Sequence, residues 1–468
     1  MNQTGKTPLL NLPIDLDNPK NHGGILQPAG LSVLSSFLKK EGCDVILYDA
    51  FAHCHEKEII LKRIEEISPS IIGITLFTSH IPQVRSFLRE VRKRFPDILH
   101  VAGGPHPSSA YDSILNDMPE IDIAVIGEGE YVMLEIIDCV KKRASFKDIL
   151  GIVYREGGKN IQTPFRGFIT DLDSLPFSDW DSLPMEKYFE VWTIKKNYAH
   201  MILSRGCPFS CTFCGAKMAL GMKQRRRSPQ HVLEEIKVLY DKHGVRNILF
   251  GDSTFNLNKQ WVHEICEGLL NLGRPILWNC NIRADLVDRE TVAIMKKSGC
   301  MRVFIGVESA DEEMLKRMQK GIKISKLERG IKYLQEYGIN PDMGFIFGMP
   351  GETEETMKKS IEFAKKHKTC MSAFTLAAPF PGTPFYDEAK MDGLIVEDWS
   401  KFNIYEVAYT PKDITKKMLL DYYGKAVSEV YLSPIFLWQQ LRQIRSLISL
   451  RIHIKFAWRV IYNRILAR

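Results

Sequence analysis

The sequence predicts an α/β protein: an N-terminal doubly wound parallel sheet, then a partial (β/α)6 barrel, then a helical C-terminal extension. Three observations carry this. Short apolar runs alternate with amphipathic segments through the first 140 or so residues, and the same alternation resumes at "HMILSRG". Between the two series lies an irregular stretch rich in Asp, Pro and aromatics, "DLDSLPFSDWDSLP". Strand–helix alternation implies parallel strands, with ligands at their carboxyl ends.

In chain order, the first strand-like runs are "LLNLPI", "DVILYDA", "IIGITLFT", "ILHVAGG" and "DIAVIGEG", with helical patterns such as "AGLSVLSSFLKKEG" and "VRSFLREVRKRF" between them. Their carboxyl ends carry "TLFTSH" (Thr75 to His80), "GGPH" (Gly103 to His106) and "GEGE" (Gly127 to Glu130). Residues from about Gly151 to Ala199 read as an irregular connection. The second series continues through "NILFGDSTF", "ILWNCNIRA", "MRVFIGVES", "DMGFIFGMPG" and "AFTLAAPF". Six strand–helix units suit a partial barrel, again with function at the carboxyl ends. The expected divisions are 1–145, a connecting segment 146–198, a barrel 199–385 and a mostly helical region 386–468.

With 45% hydrophobic and 25% charged residues in 468, the chain reads as soluble and globular. No apolar run reaches the length of a membrane span, and the start lacks the basic and apolar segments of a secretion signal. Ten cysteines without a secretion signal or regular pairing argue for the cytoplasm. The net charge of +7 sits in the tail, where residues 431–468 hold seven basic side chains and no acidic one. Removing those seven from the chain's 63 leaves a body balanced against its 56 acidic residues.

"SRGCPFSCTFCGAK" places Cys207, Cys211 and Cys214 at C-x3-C-x2-C directly after a predicted strand. Three thiolates in eight residues can wrap a compact soft-metal centre. Structural zinc needs a fourth ligand, and no His or Cys lies between Cys214 and His231. A cubane held by three thiolates leaves one iron open to a small chelating ligand.

These cysteines, with Phe213 before the third, resemble the signature of radical S-adenosylmethionine (SAM) enzymes, and the resemblance covers Ala199 to about Phe385. It implies a [4Fe-4S] cluster whose open iron binds SAM, and a 5′-deoxyadenosyl radical formed by one-electron reduction. It also implies a reductant such as flavodoxin or ferredoxin. Later strand ends supply candidate SAM or substrate groups. "GDSTFN" offers Asp252, Ser253 and Asn256. "NIRAD" offers Arg283, a carboxylate partner by its bidentate fork. By analogy with the family, Glu308 of "GVES" would accept the ribose hydroxyls, with Ser309 beside it. Each has a structural alternative: Arg283 could pair with a helix carboxylate, and Ser309 could cap the helix "ADEEMLKRM".

The first half, Leu9 to about Ala144, resembles the flavodoxin-like cobalamin-binding domain fused to one subgroup of these enzymes. The matching elements are Thr75 to Ser79 after the third strand and Gly103-Gly104 after the fourth, where glycines let backbone lie against a bulky ligand. The Asp-x-His-x-x-Gly string that supplies a cobalt-ligating histidine in methionine-synthase-like domains is missing, and His53 and His55 of "DAFAHCHE" read as surface loop. The other cysteines, 43, 54, 139, 266, 280, 300 and 370, suit core packing.

The subgroup contains carbon methylases and the anaerobic magnesium-protoporphyrin cyclase. The resemblance therefore implies methyl transfer to an unactivated carbon, with cyclisation or oxidation as the alternative and a non-catalytic cobalamin or redox sensor as a reading from another class. In the tail, Arg451, Lys455 and Arg459 form one helical stripe, with Trp438 and Trp458 adding aromatic surface. That suits either a helix lying at the inner membrane face or one docked on the barrel, and hints at a lipid or other small apolar substrate. Nucleic acid is not expected, since the body is neutral and no RNA-binding module occurs.

Overall fold

The computed structural model describes residues 5–13, 16, 24–190, 197–367, 371–392, 395–396 and 398–433. Its first sheet comprises β1 (Thr7–Asn11), β2 (Val45–Asp49), β3 (Ile71–Thr75), β4 (Leu99–Gly103), β5 (Ile123–Val125), β6 (Ile152–Glu156) and β7 (Lys159–Gln162). The spatial order is β2-β1-β3-β4-β5-β6-β7, and β1 to β5 are parallel. The order reverses at β1, which opens a crevice beyond the carboxyl ends of β1 and β3.

Side-chain alternation gives this sheet two apolar faces. Leu9, Val101 and Ile123 point to one core, with Phe37 and Met133 from the helices Ala29–Lys40 and Glu130–Lys142. Leu10, Ala102 and Ala124 point to the other, with Ile64 and Phe87 from Lys57–Ile67 and Ile81–Arg94. The first core continues without a break into the barrel through Trp180, Tyr188 and Tyr198.

The region after Gly151 corrects the expectation of an irregular connection. β6 adds antiparallel to β5, and β7 pairs antiparallel to β6 across a Gly157-Gly158 turn, so the first sheet extends to Gln162 instead of ending before residue 146. Only Ile152, Val153 and Tyr154 of this hairpin are buried; its outer residues are polar and exposed apart from the half-buried Ile161. A mostly polar strand at a sheet edge carries little apolar signal.

The second sheet has six parallel strands: β8 (Tyr198–Met201), β11 (Asn247–Phe250), β12 (Leu277–Ile282), β13 (Cys300–Glu308), β14 (Asn340–Phe347) and β15 (Ser372–Leu376). They neighbour one another in chain order, as a partial barrel requires. A two-stranded antiparallel pair, β9 (Ser204–Arg205) with β10 (Arg225–Arg226), brackets the cysteine loop.

Between Phe385 and Ser433 the described residues are less helical than expected. The helices Pro384–Met391 and Lys416–Tyr431 flank a largely irregular stretch tied by an Ile395–Tyr409 bridge. No helix of the described residues is long and apolar enough to cross a membrane. Cys370 and the basic stripe of Arg451, Lys455 and Arg459 lie outside the described residues.

Candidate active site

The cysteine loop begins where β9 turns at Gly206. This residue has φ +92°, and a Cβ there would lie 2.3 Å from the Lys223 carbonyl, so glycine is required. The loop is fixed by backbone bonds from Cys207 N to Gly221 O (3.1 Å), Cys214 N to Cys211 O (3.2 Å) and Thr212 N to Met318 O (3.0 Å). Cys211 is buried, while Cys207 and Cys214 are half-buried. Burial pushes the Cys211 and Cys214 thiols up; Lys320 pulls both down, joined by the Ala216 N–H at Cys214. On balance burial prevails and both thiols stand above the ordinary value, with Lys320 the positive side chain that offsets part of the shift.

Among the described residues no three His, Cys, Asp or Glu side chains converge as ligands of a single ion. A cubane has a different demand, one thiolate on each of three irons. Three thiols on one short, backbone-pinned loop fit that demand.

The second wall of the site is the ligand-binding end of the first sheet. Thr75, Ser79, Gly103 and Gly104 all line one cavity of about 1030 Å³, which also reaches Ser204, Arg205, Gly215 and Ser253 of the barrel. That volume is at the upper end for small-molecule pockets and suits a bulky cofactor together with a second ligand. Gly104 has φ +102°, and a Cβ there would sit 2.8 Å from Thr75 Oγ1. His80 also lines the cavity, and burial pushes its imidazole down to about 4, so it is neutral near pH 7. His53 and His55 do not line it; their rings stack at 4.9 Å, and His55 Nδ1 lies 2.6 Å from Tyr48 Oη.

The barrel candidates divide by what they touch. Ser253 is exposed and lines the cavity. Asp252 is buried, accepts from Ser204 Oγ at 2.5 Å, and has its carboxyl pushed up to about 6 by burial. Asn256 bonds both the N–H and the carbonyl of Arg283, pinning the end of β12. The Arg283 guanidinium pairs with Asp285 (3.1 Å), donates to the Lys320 carbonyl (2.9 Å) and lies 3.8 Å above the Phe209 ring. Its fork is therefore directed to the protein, which matches the carboxylate-pair alternative. Ser309 Oγ accepts from Asp311 N (3.3 Å), while Asp311 itself caps the helix Glu312–Arg317.

Glu308 sits at φ +65°, where β13 shifts register against β14, and its carboxylate pairs with Lys320 at 2.7 Å. The strained backbone aims this side chain at a cation beside the cysteine loop. Sequence reasoning missed Lys320, which follows Glu308 by 12 residues across a helix and matches no pattern. It also missed Arg205, although that residue lies within the cysteine stretch, because its partners Glu128 and Glu130 lie in the other domain.

A cysteine loop at the carboxyl end of the first strand of a six-stranded parallel barrel, with its flanks Arg205 and Gly215 lining a cavity shared with a doubly wound sheet, defines a radical SAM fold joined to a domain for a bulky cofactor. Residues 201–364 match the Radical SAM superfamily and residues 20–137 the B12 binding domain. The chain is 32% identical over 408 residues to an uncharacterized methyltransferase of Pyrococcus horikoshii, spanning 87% of this chain and 88% of that one. It is 30% identical over 417 residues to the anaerobic magnesium-protoporphyrin IX monomethyl ester cyclase of Rubrivivax gelatinosus, spanning 88% and 74% of the two chains. Among solved structures, the radical SAM methyltransferase TsrM from Kitasatospora setae superposes with TM-score 0.71 at 18% identity, covering 92% of this chain and 90% of that one. The cobalamin-dependent radical enzyme OxsB superposes with TM-score 0.76 at 18% identity, covering 99% and 71%. The chain belongs to the radical SAM enzymes that carry a cobalamin-binding domain, with a [4Fe-4S] cluster, SAM and cobalamin as its cofactors.

Proposed function

We propose that the enzyme transfers a methyl group to an unactivated carbon. The observation that carries this reading is the shared cavity, in which the sheet loops at Thr75 and Gly103-Gly104 face the barrel residues Ser204 and Ser253 across one space. When bound, the cluster supplies the electron that cleaves SAM to a carbon-centred radical, and cobalamin carries the methyl group. Cys207, Cys211 and Cys214 would hold the cluster. Thr75, Ser79, Gly103 and Gly104 would seat the cobalamin, by shape more than by charge. Glu308 would orient SAM, with Ser309, Arg283 and Asp252 shaping the strand ends around it.

The division we assign is sheet domain, connecting segment, barrel from 199 to 385 and C-terminal region, with the hairpin to Gln162 added to the sheet. A flavodoxin- or ferredoxin-type protein would be the electron donor. We place the enzyme in the cytoplasm, in keeping with nine free cysteines among the described residues, and assign the basic tail to contact with the inner membrane face. A small apolar or lipid molecule is the substrate class that suits such a tail.

Cyclisation or oxidation without methyl transfer is the second reading, favoured by the similarity to the Rubrivivax cyclase. The loaded enzyme, incubated anaerobically with dithionite, methyl-deuterated SAM and a cell extract, separates the two. A new product bearing the deuterated methyl group supports methyl transfer. Loss of hydrogen or gain of oxygen without label supports the cyclase reading.

A further inference from the structure

We propose that Arg205, gripped by Glu128 and Glu130, is a positioning residue that sets where the cluster sits relative to the cobalamin. Arg205 occupies β9, two positions before Cys207, and leads directly into the turn that starts the cysteine loop. Its guanidinium donates to Glu128 at 2.9 Å and to Glu130 at 2.6 Å. Both carboxylates come from the sheet domain, Glu128 from the turn after β5 and Glu130 from the first position of the helix Glu130–Lys142.

A second guanidinium closes the arrangement. Arg225, on the paired strand β10, donates to both Glu128 oxygens at 2.8 Å and to the carbonyls of Ile169 (2.6 Å) and Leu220 (2.8 Å). Two cations and two anions thus balance at the domain junction, with side chains only 4–12% exposed. Little water competes for these charges, so their geometry is more restrictive than that of a surface pair. The network grips the cysteine loop at its entry through Arg205 and, through Leu220, at the end of the helix Ala216–Leu220.

The same carboxylates face the cavity. Gly127, Glu128, Gly129 and Glu130 line it together with Gly103-Gly104 and Arg205. A ligand seated on the sheet therefore abuts the turn that holds the cysteine loop. Because every charge in the network is paired inside the protein, its role is placement of the loop and not binding of an ionic substrate.

The test is pulsed electron paramagnetic resonance on the full-length enzyme loaded with cob(II)alamin and a reduced cluster, reading the magnetic interaction between the two centres. The proposal rests on the cofactor assignment, which iron and cobalamin contents check separately in the same samples. The wild type is expected to give one narrow distance distribution. Glu130→Gln should keep iron and cobalamin contents within about 20% of wild type and yet broaden the distribution at least twofold. Arg205→Lys, which retains charge but loses the two-pronged fork, should broaden it less than Arg205→Gln. An unchanged distribution in loaded Glu130→Gln and Arg205→Gln, or no interaction in the wild type, overturns the proposal. Failure of both Glu130→Gln and Arg205→Lys to fold or to load either cofactor assigns the pairs to stability alone and overturns it equally.

Discussion

On the barrel side the proposed ligands of the reactive group are side chains of one loop, Cys207 to Cys214, whose flanks Arg205 and Gly215 form the barrel wall of the cavity, while the sheet wall is a shape made by backbone from several separate turns. Thiolate ligation needs particular atoms at a short spacing, so the barrel wall depends on residue identity. Seating a bulky cofactor needs room and close backbone approach, so the sheet wall depends on conformation. The two walls should accordingly fail in different ways.

The largest effect is expected at Cys211. Cys211→Ala should abolish cluster assembly and SAM cleavage while leaving cobalamin affinity within about twofold, because the turns at Thr75 and Gly103-Gly104 are held by bonds within the sheet domain, Leu76 N to Gly103 O (2.8 Å) and His106 N to Leu76 O (3.1 Å). Iron content, 5′-deoxyadenosine formation and a cobalamin titration read all three, and loss of cobalamin binding would merge the walls into one unit.

The converse is expected at Gly104. Its φ of +102° with ψ of −164° disfavours any side chain by about 1–3 kcal/mol, and a Cβ would also strike Thr75 Oγ1 at 2.8 Å. Gly104→Val should weaken cobalamin binding more than tenfold with the iron content intact. A normal cobalamin affinity would mean that this turn does not seat the cofactor.

Lys320 tests the electrostatics of the barrel wall. Lys320→Met leaves the Glu308 carboxylate buried without its partner at 2.7 Å, a change that destabilises by about 3–5 kcal/mol. Adding Glu308→Gln should recover a large part of that loss. Denaturant melts of the four proteins in the cycle check this, and additive single effects would show that the pair is not coupled.

The smallest effect is expected at Asp252, whose carboxyl is pushed up to about 6 from 3.8. The folded state binds a proton that the unfolded state releases between those values, so this group's contribution to stability falls as pH rises from about 4 to 6. Asp252→Asn removes the penalty and should stabilise the apoprotein by up to about 3 kcal/mol at pH 7 and by nothing below pH 4. A difference that did not vary with pH would refute the assignment.

Legibility in the sequence follows the same division. The cysteine spacing is local, and so was readable. The turns at Thr75 and Gly103-Gly104 were readable because small residues followed predicted strands. Arg283 and Asn256 were placed at the correct strand ends, but the sequence does not say whether a side chain faces ligand or protein; these two hold each other and their neighbours. The hairpin at Gly157-Gly158 did carry a turn signal, two glycines between strand-compatible runs, masked by its polar outer edge. The contacts joining the domains left no signal, since Arg205 and Arg225 meet Glu128 across 77 and 97 residues.

The central claim is that the two walls serve one reaction. The direct measurement is the yield of 5′-deoxyadenosine and S-adenosylhomocysteine per enzyme, after anaerobic reconstitution and addition of SAM and dithionite, with and without cobalamin. The account predicts 5′-deoxyadenosine in both samples and S-adenosylhomocysteine only where cobalamin is present. Equal S-adenosylhomocysteine without cobalamin, or none with it, would contradict the account.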